Sequence, residues 1–201
     1  MIQTPALTED QAPSIRDQIV EAADAHFSRY GYAKTTMADL ARAIGFSKAY
    51  IYKFFDSKQA IGEAICTRCL TPQLATIAAA VEAAATPHEK VRALFRTSVK
   101  QCQEQFFTDR QLYDIVAFSR SENWASSARY VADLNALLES IIRMGRAQGD
   151  FERKTPLDEV CRGIWIAMLP FVDPVLLQHN LDDVEDGLPA VIGLILRSLS
   201  T

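Results

Sequence analysis

Histidine, cysteine and glycine are scarce in this chain of 201 residues, and their scarcity removes several kinds of chemistry at once. The three histidines, His26, His88 and His179, stand far apart, with no H-E-x-x-H pairing to hold a catalytic metal. The eight glycines never gather into a loop that could cradle phosphate. Gly45-Phe46-Ser47-Lys48-Ala49 falls one residue short of a G-x-S-x-G nucleophile elbow, and a helical pattern precedes it where that motif needs a strand. Cys66 and Cys69 form a C-x-x-C pair on one helical face, but no second pair or nearby His completes a tetrahedral metal set. Cys102 and Cys161 read as small core residues. The acidic run Asp182, Asp183, Glu185 and Asp186 reads as a solvated helix start favoured by the helix dipole. No catalytic residue, metal or cofactor is expected.

Long apolar runs are also missing. The stretch from Leu188 to Leu196 is about half the ~18 residues a membrane span requires. The opening MIQTPALTEDQAP is polar, acidic and Pro-containing, which suits a frayed arm over 1–13 better than a signal peptide. No membrane and a cytoplasmic location are therefore expected. Alternation with a period of two is absent, while apolar residues recur at three- and four-residue steps almost throughout. The fold class expected is all-α. A short helical module over 14–56 is followed by a larger helical domain over 57–201. In the latter, helices are expected over 57–70, 73–84, 87–106, 109–119, 122–148, 156–178 and 182–199. Pro72 should end the first of these, and Pro170 and Pro174 should kink or break the sixth. Pro189 either begins the last helix or bends it.

The most informative stretch runs from Thr35 to Lys58. Thr36 is placed to cap a helix carrying Met37, Leu40, Ala41 and Ile44 on one side. Gly45 interrupts that pattern where a sharp turn needs positive φ. Ser47 then caps a second short helix reaching about Phe54. Lys48, Ala49, Tyr52 and Lys53 share one face of it, and Ile51, Phe54 and Phe55 another. Two short helices about a tight glycine turn make a helix-turn-helix, whose second helix can lie in a DNA major groove.

At these residues the chain resembles the TetR family of bacterial transcriptional regulators. The likeness covers roughly 14–66. It begins with Ile19, Ala22, Ala23, Phe27 and Gly31-Tyr32 and continues through Thr35-Thr36, Leu40-Ala41, Gly45, Ser47-Lys48, Ile51-Tyr52, Phe55, Ser57 and Lys58. The resemblance implies a homodimeric repressor of a double-stranded DNA operator. It also implies that Thr36, Tyr52 and Lys58 contact phosphates, and that Ser47, Lys48, Ala49, Tyr50 and Lys53 approach phosphates or bases. Tyr50 is bulkier than the residue usual at its position.

Charge is arranged to suit. Residues 14–60 carry seven Lys/Arg against five Asp/Glu, and residues 61–201 fourteen against eighteen, so only the first part of a chain of net charge −4 is basic. In the larger domain, Phe106, Tyr113, Phe118, Trp124, Trp165 and Met168 are the large apolar residues expected to wall a cavity for a hydrophobic effector. Glu104, Gln105, Arg120 and Asn123 could supply polarity there but read as solvated surface. Val160, Ile164, Leu188, Val191 and Ile195 are expected at a dimer interface, because a terminal helix apolar on nearly all sides must be covered. Three other readings compete. They are a helical carrier or enzyme whose first module no longer reads DNA, a redox-responsive regulator using Cys66 and Cys69, and an architectural DNA binder without an effector.

Overall fold

The computed structural model describes residues 14–200, and the arm expected at 1–13 lies outside them. It is helical almost throughout: α1 (Ile15–Tyr30), α2 (Met37–Ile44), α3 (Lys48–Ile51), α4 (Lys58–Ala83), α5 (Pro87–Thr108), α6 (Arg110–Ser121), α7 (Ala125–Gln148), α8 (Leu157–Val172), α9 (Pro174–Leu177) and α10 (Val184–Leu199). A 3-10 turn at Leu181–Asp183 leads into α10. Among the described residues, extended pairing is confined to one antiparallel bridge between Phe151 and Ser200. The all-α expectation holds.

The chain divides into two compact units between Ile65 and Cys66, inside α4, where the sequence suggested 56/57. The described part of the first unit buries Ile19, Ala23 and Phe27 of α1, Leu40 of α2, Ile51 of α3 and Ile61 of α4 completely. Each large side chain among them contributes roughly 1.5–3 kcal/mol by leaving water, which lets helices too short to persist alone stay folded. The second unit has one larger core, built from Ile77 and Val81 of α4, Leu94 and Phe95 of α5, Leu138 and Ile142 of α7, Met168 of α8 and Ile192 and Leu196 of α10.

Three prolines lie inside helices, and Pro72 departs from the sequence expectation in doing so. Pro72 does not end α4, and the helices expected over 57–70 and 73–84 are one. Pro170 lies inside α8 and Pro189 inside α10. A helical proline frees the carbonyl four residues earlier. Here the residues four positions earlier are Arg68, Ile166 and Glu185, all exposed. The real break comes at Pro174. There Asp173 leaves the helical conformation and caps α9 by accepting from the Val175 amide at 2.9 Å. Of the described helices, α4 alone has the length and apolar content that would suffice to cross a membrane. Its Ile77 and Val81 are instead spent on the core of the second unit.

The turn after α7 fixes one further core residue. Gly149, at φ 87° and ψ 5°, closes α7 in the left-handed conformation, and Phe151 folds back fully buried against Gly145. A Cβ at Gly145 would stand 2.1 Å from the Phe151 ring. Gly145→Ala should therefore force a buried ring to move and lower stability by about 1–3 kcal/mol, read as a reduced urea midpoint with an unchanged slope.

Candidate nucleic-acid interface and ligand cavity

The α2–turn–α3 segment is held by caps at each end. Thr36 accepts from the Asp39 amide at 3.2 Å, while the Asp39 carboxylate accepts from the Thr36 amide at 3.0 Å and from its hydroxyl at 2.6 Å. These bonds, the hydroxyl's first, hold the Asp39 carboxyl below the usual carboxylate range. Gly45 ends α2 at φ 79°, ψ 19°, a left-handed turn that a Cβ would strain. Ser47 then accepts from the Tyr50 amide at 3.1 Å and starts α3. Regular helix stops at Ile51, short of the expected Phe54. The Phe55 amide still donates to the Ile51 carbonyl at 3.1 Å, so the turn continues beyond it.

This scaffold leaves Thr36, Ser47, Lys48, Ala49, Tyr52 and Lys53 exposed, while Ile51 and Phe55 are buried. The exposed set is the cationic, hydroxyl-bearing face expected from the sequence. Tyr50 and Phe54 differ. Tyr50 is half-buried, with its ring edge-on to Phe46 at 5.1 Å and to Phe54 at 5.4 Å, so Phe54 packs on Tyr50 and is not fully in the core. Lys48 sits over the Tyr52 ring at 5.7 Å and Lys53 over the Tyr50 ring at 5.6 Å.

Lys58 has a second role visible only in three dimensions. Its ammonium donates to the carbonyls of Tyr32 at 2.9 Å and Thr35 at 2.8 Å and lies 4.3 Å from the centre of the Tyr32 ring. Burial lowers its pKa. Two of its three protons thus tie the start of α4 to the α1–α2 turn, directly beside the Thr36 cap. One remains for an outside acceptor.

The second unit encloses a cavity of about 40 Å³, room for a few water molecules. Leu70, Val116, Leu134 and Trp165 supply apolar wall, and Gln73, Gln105, Arg120, Tyr130 and Asp173 supply polar groups. Of the six residues expected to line it, only Trp165 does. Phe106 and Tyr113 pair edge to face at 4.9 Å, and the Tyr113 hydroxyl donates to the Pro174 carbonyl. Phe118 and Trp124 pair at 5.7 Å across the α6–α7 turn. Met168 is fully buried in the core. Aromatic content marked the packed helices, not the void between them. Gln105 and Arg120, read as surface, instead face the interior, and Gln105 is only 8% exposed. Asp173 and Tyr130 were missed. Asp before Pro174, an N-cap followed by proline at the first helical position, was the available signal for the former.

The residues expected at a dimer interface are largely taken up by the protomer's own core. Ile164, Leu188 and Ile195 are each 6% exposed because they pack in their own core, and Val160 and Val191 are half-buried against it. The outward apolar residues of α8 and α10 are Ile166 at 58% and Leu194 at 60%, with the small Gly163, Ala167 and Ala190 exposed on the same two helices. A groove lined by Val160, Gly163, Ile164, Ala167, Leu194 and Ile195 runs there.

Comparison with known proteins agrees with the architecture. Residues 19–65 match the family model described as bacterial regulatory proteins, tetR family, and residues 87–191 match that of the tetracyclin repressor-like C-terminal domain. The HTH-type transcriptional regulator TtgR of Pseudomonas putida is 38% identical over 58 residues, which are 29% of this chain and 28% of that protein. The HTH-type transcriptional regulator BetI of Rhizobium meliloti is 35% identical over 91 residues, 45% of each. The chain thus matches less than half the length of either. The crystal structure of PfmR, a TetR family transcriptional regulator from Thermus thermophilus, is 27% identical with a TM-score of 0.62 over 94% of this chain and 100% of that one. With family models matched in both units, the second across about half of the chain, this protein belongs to the TetR family of bacterial regulatory proteins.

Proposed function

We propose that the chain is a homodimeric repressor that grips a double-stranded DNA operator with α3 and releases it when a small, largely apolar molecule enters the second unit. The observation that carries this reading is the intact, doubly capped α2–turn–α3 segment with Lys48, Ala49, Tyr52 and Lys53 all exposed on one short helix and its continuing turn. A carrier or enzyme that had given up DNA would have no need to keep that face free of apolar cover. Thr36, Tyr52 and Lys58 act on phosphates, which set affinity. Ser47, Lys48, Ala49, Tyr50 and Lys53 approach phosphates or bases, and the base contacts among them set preference. Two copies are needed because one short helix reads too few base pairs to specify a site, and a two-fold pair reads two half-sites about one DNA turn, ~34 Å, apart.

Release follows from linkage. An effector can weaken DNA binding only by its greater affinity for the form that does not fit the operator, and a coupling of about 1–3 kcal/mol lowers affinity roughly 5- to 150-fold. One continuous helix, α4, carries both Lys58 and the cavity residues Leu70 and Gln73. It is the element through which the two events are coupled.

Substitution of the reading helix separates the two classes of contact. Tyr52→Phe should weaken binding to every duplex by a similar factor, since it removes a phosphate donor. Lys48→Ala should change which sequences are retained. Binding titrations together with selection from a random duplex library measure both. A Tyr52→Phe protein of unchanged affinity, or a Lys48→Ala protein of unchanged preference, would refute the assignment.

The dimer is assigned to the outward face of α8 and α10. Ile166→Glu combined with Leu194→Glu should give a monomer that keeps its helicity, because neither side chain belongs to the protomer core, and that loses specific DNA binding. Light scattering and circular dichroism check it, and an intact dimer would remove this face from the interface.

A further inference from the structure

The cavity of the second unit has an electrostatic character that narrows what it can hold. Arg120 and Asp173 both line it and form an ion pair, Nε to Oδ2, at 2.9 Å. Asp173 is only 9% exposed, and its other oxygen is spent on the Val175 amide. The pair is therefore a neutral unit locked in place by the α9 cap. A second charge brought beside it would be buried without a partner, a heavy penalty unless it displaces one member.

The remaining polar groups are sorted by what they already do. Gln73 donates to the Gln105 carbonyl oxygen at 3.2 Å, and Gln105 donates to the Cys69 sulfur at 3.0 Å. The hydroxyls of Ser98 and Ser127 donate to helix carbonyls. Three groups keep donors to spare. Among the described residues, no hydrogen bond takes the two terminal nitrogens of Arg120, the hydroxyl of Tyr130 or the indole N–H of Trp165. Burial keeps that hydroxyl protonated by raising its pKa, and it pushes the neighbouring Cys102 thiol up to about 12, so neither adds a charge. The site thus offers donors to an incoming group while its net charge is zero. Leu70, Val116 and Leu134 offer only apolar contact, and Trp165 adds a large apolar ring.

We propose that this cavity takes an uncharged small molecule with an apolar body and one hydrogen-bond acceptor, a carbonyl or hydroxyl oxygen, held by Arg120 and Tyr130. This rests on reading the second unit as the effector domain and specifies the class of effector. Apolar bulk gives affinity and the acceptor gives orientation, as small-molecule sites usually divide the work. A void of about 40 Å³ is smaller than such a ligand, so binding displaces a few waters and pushes the walls apart. The walls include Leu70 and Gln73, on α4.

The test uses one chain length with three head groups: hexanamide, hexanoate and hexylamine, added to the purified full-length protein without DNA. Trp165 fluorescence and thermal shift report binding. In the wild-type protein hexanamide should bind at least tenfold more tightly than either charged analogue. Tyr130→Phe should weaken hexanamide severalfold. Asp173→Asn keeps a residue that caps helices well but strips Arg120 of its counter-charge, so the order should reverse and hexanoate should bind best. Hexanoate or hexylamine binding the wild-type protein as well as hexanamide would overturn the proposal, as would an unchanged order in Asp173→Asn, or no binding of any of the three at millimolar concentration. Operator binding is assayed separately. A protein that shows the predicted order but never binds DNA refutes the repressor reading alone, and one that binds DNA with the opposite order refutes this inference alone.

Discussion

A helix of one turn cannot hold itself together in water, and the surface proposed to read DNA is such a helix. Nucleating a turn fixes several dihedrals for a single hydrogen bond, so α3 must borrow its stability from its surroundings. It borrows from three sources. Ser47 satisfies an amide of its first turn, Ile51 anchors it by complete burial, and Gly45 sets the angle at which it leaves α2. Lys58 closes the arrangement from the far side, with its ammonium on the carbonyls of Tyr32 and Thr35. Exposed side chains on α3 point where they do only because these buried groups leave the backbone no alternative.

The second unit solves the opposite problem, keeping polar groups inside an apolar bundle. It does so by pairing them: Arg120 with Asp173, Gln73 with Gln105, and Gln105 with Cys69. A partly buried ion pair adds little to stability by itself. This one fixes position, because Asp173 serves the pair and the α9 cap at once. α4 runs unbroken through Pro72, four residues after the exposed Arg68.

Local features were legible in the sequence and long-range ones were not. The caps at Thr36 and Ser47, the left-handed Gly45 and the buried Ile51 all follow from neighbours within a few residues, and they stand as expected. Pro72 was no helix break because burial on both sides of it, at Leu70 and Ile77, offsets the proline's cost, and sequence does not reveal that burial. The cavity lies away from its expected walls for a related reason. Phe106, Tyr113, Phe118 and Trp124 are large and apolar, but edge-to-face pairing lets them fill space, whereas a void needs residues that fail to meet. Likewise Ile164, Leu188 and Ile195 carried the helical stripe, yet a stripe shows only that a face is buried. Their own core covers most of each, while Ile164 and Ile195 still edge the groove beside the exposed Leu194. Lys58 was marked by resemblance as a phosphate contact, and nothing in its local sequence announced its tie to residues more than twenty positions earlier.

Recovery and sequencing of genomic DNA fragments retained by the purified protein, followed by hydroxyl-radical footprinting of the best of them, tests the DNA-reading role of α3 most directly. Two copies of α3 reading one duplex predict a shared inverted repeat, protected on one side of the helix at two major-groove segments centred about one turn apart. They also predict that Ala49→Asp, which places a negative charge on the exposed face, abolishes the footprint while the protein stays folded. Fragments with no common sequence, bound no more tightly than random duplex, or a footprint unaffected by Ala49→Asp, would contradict it.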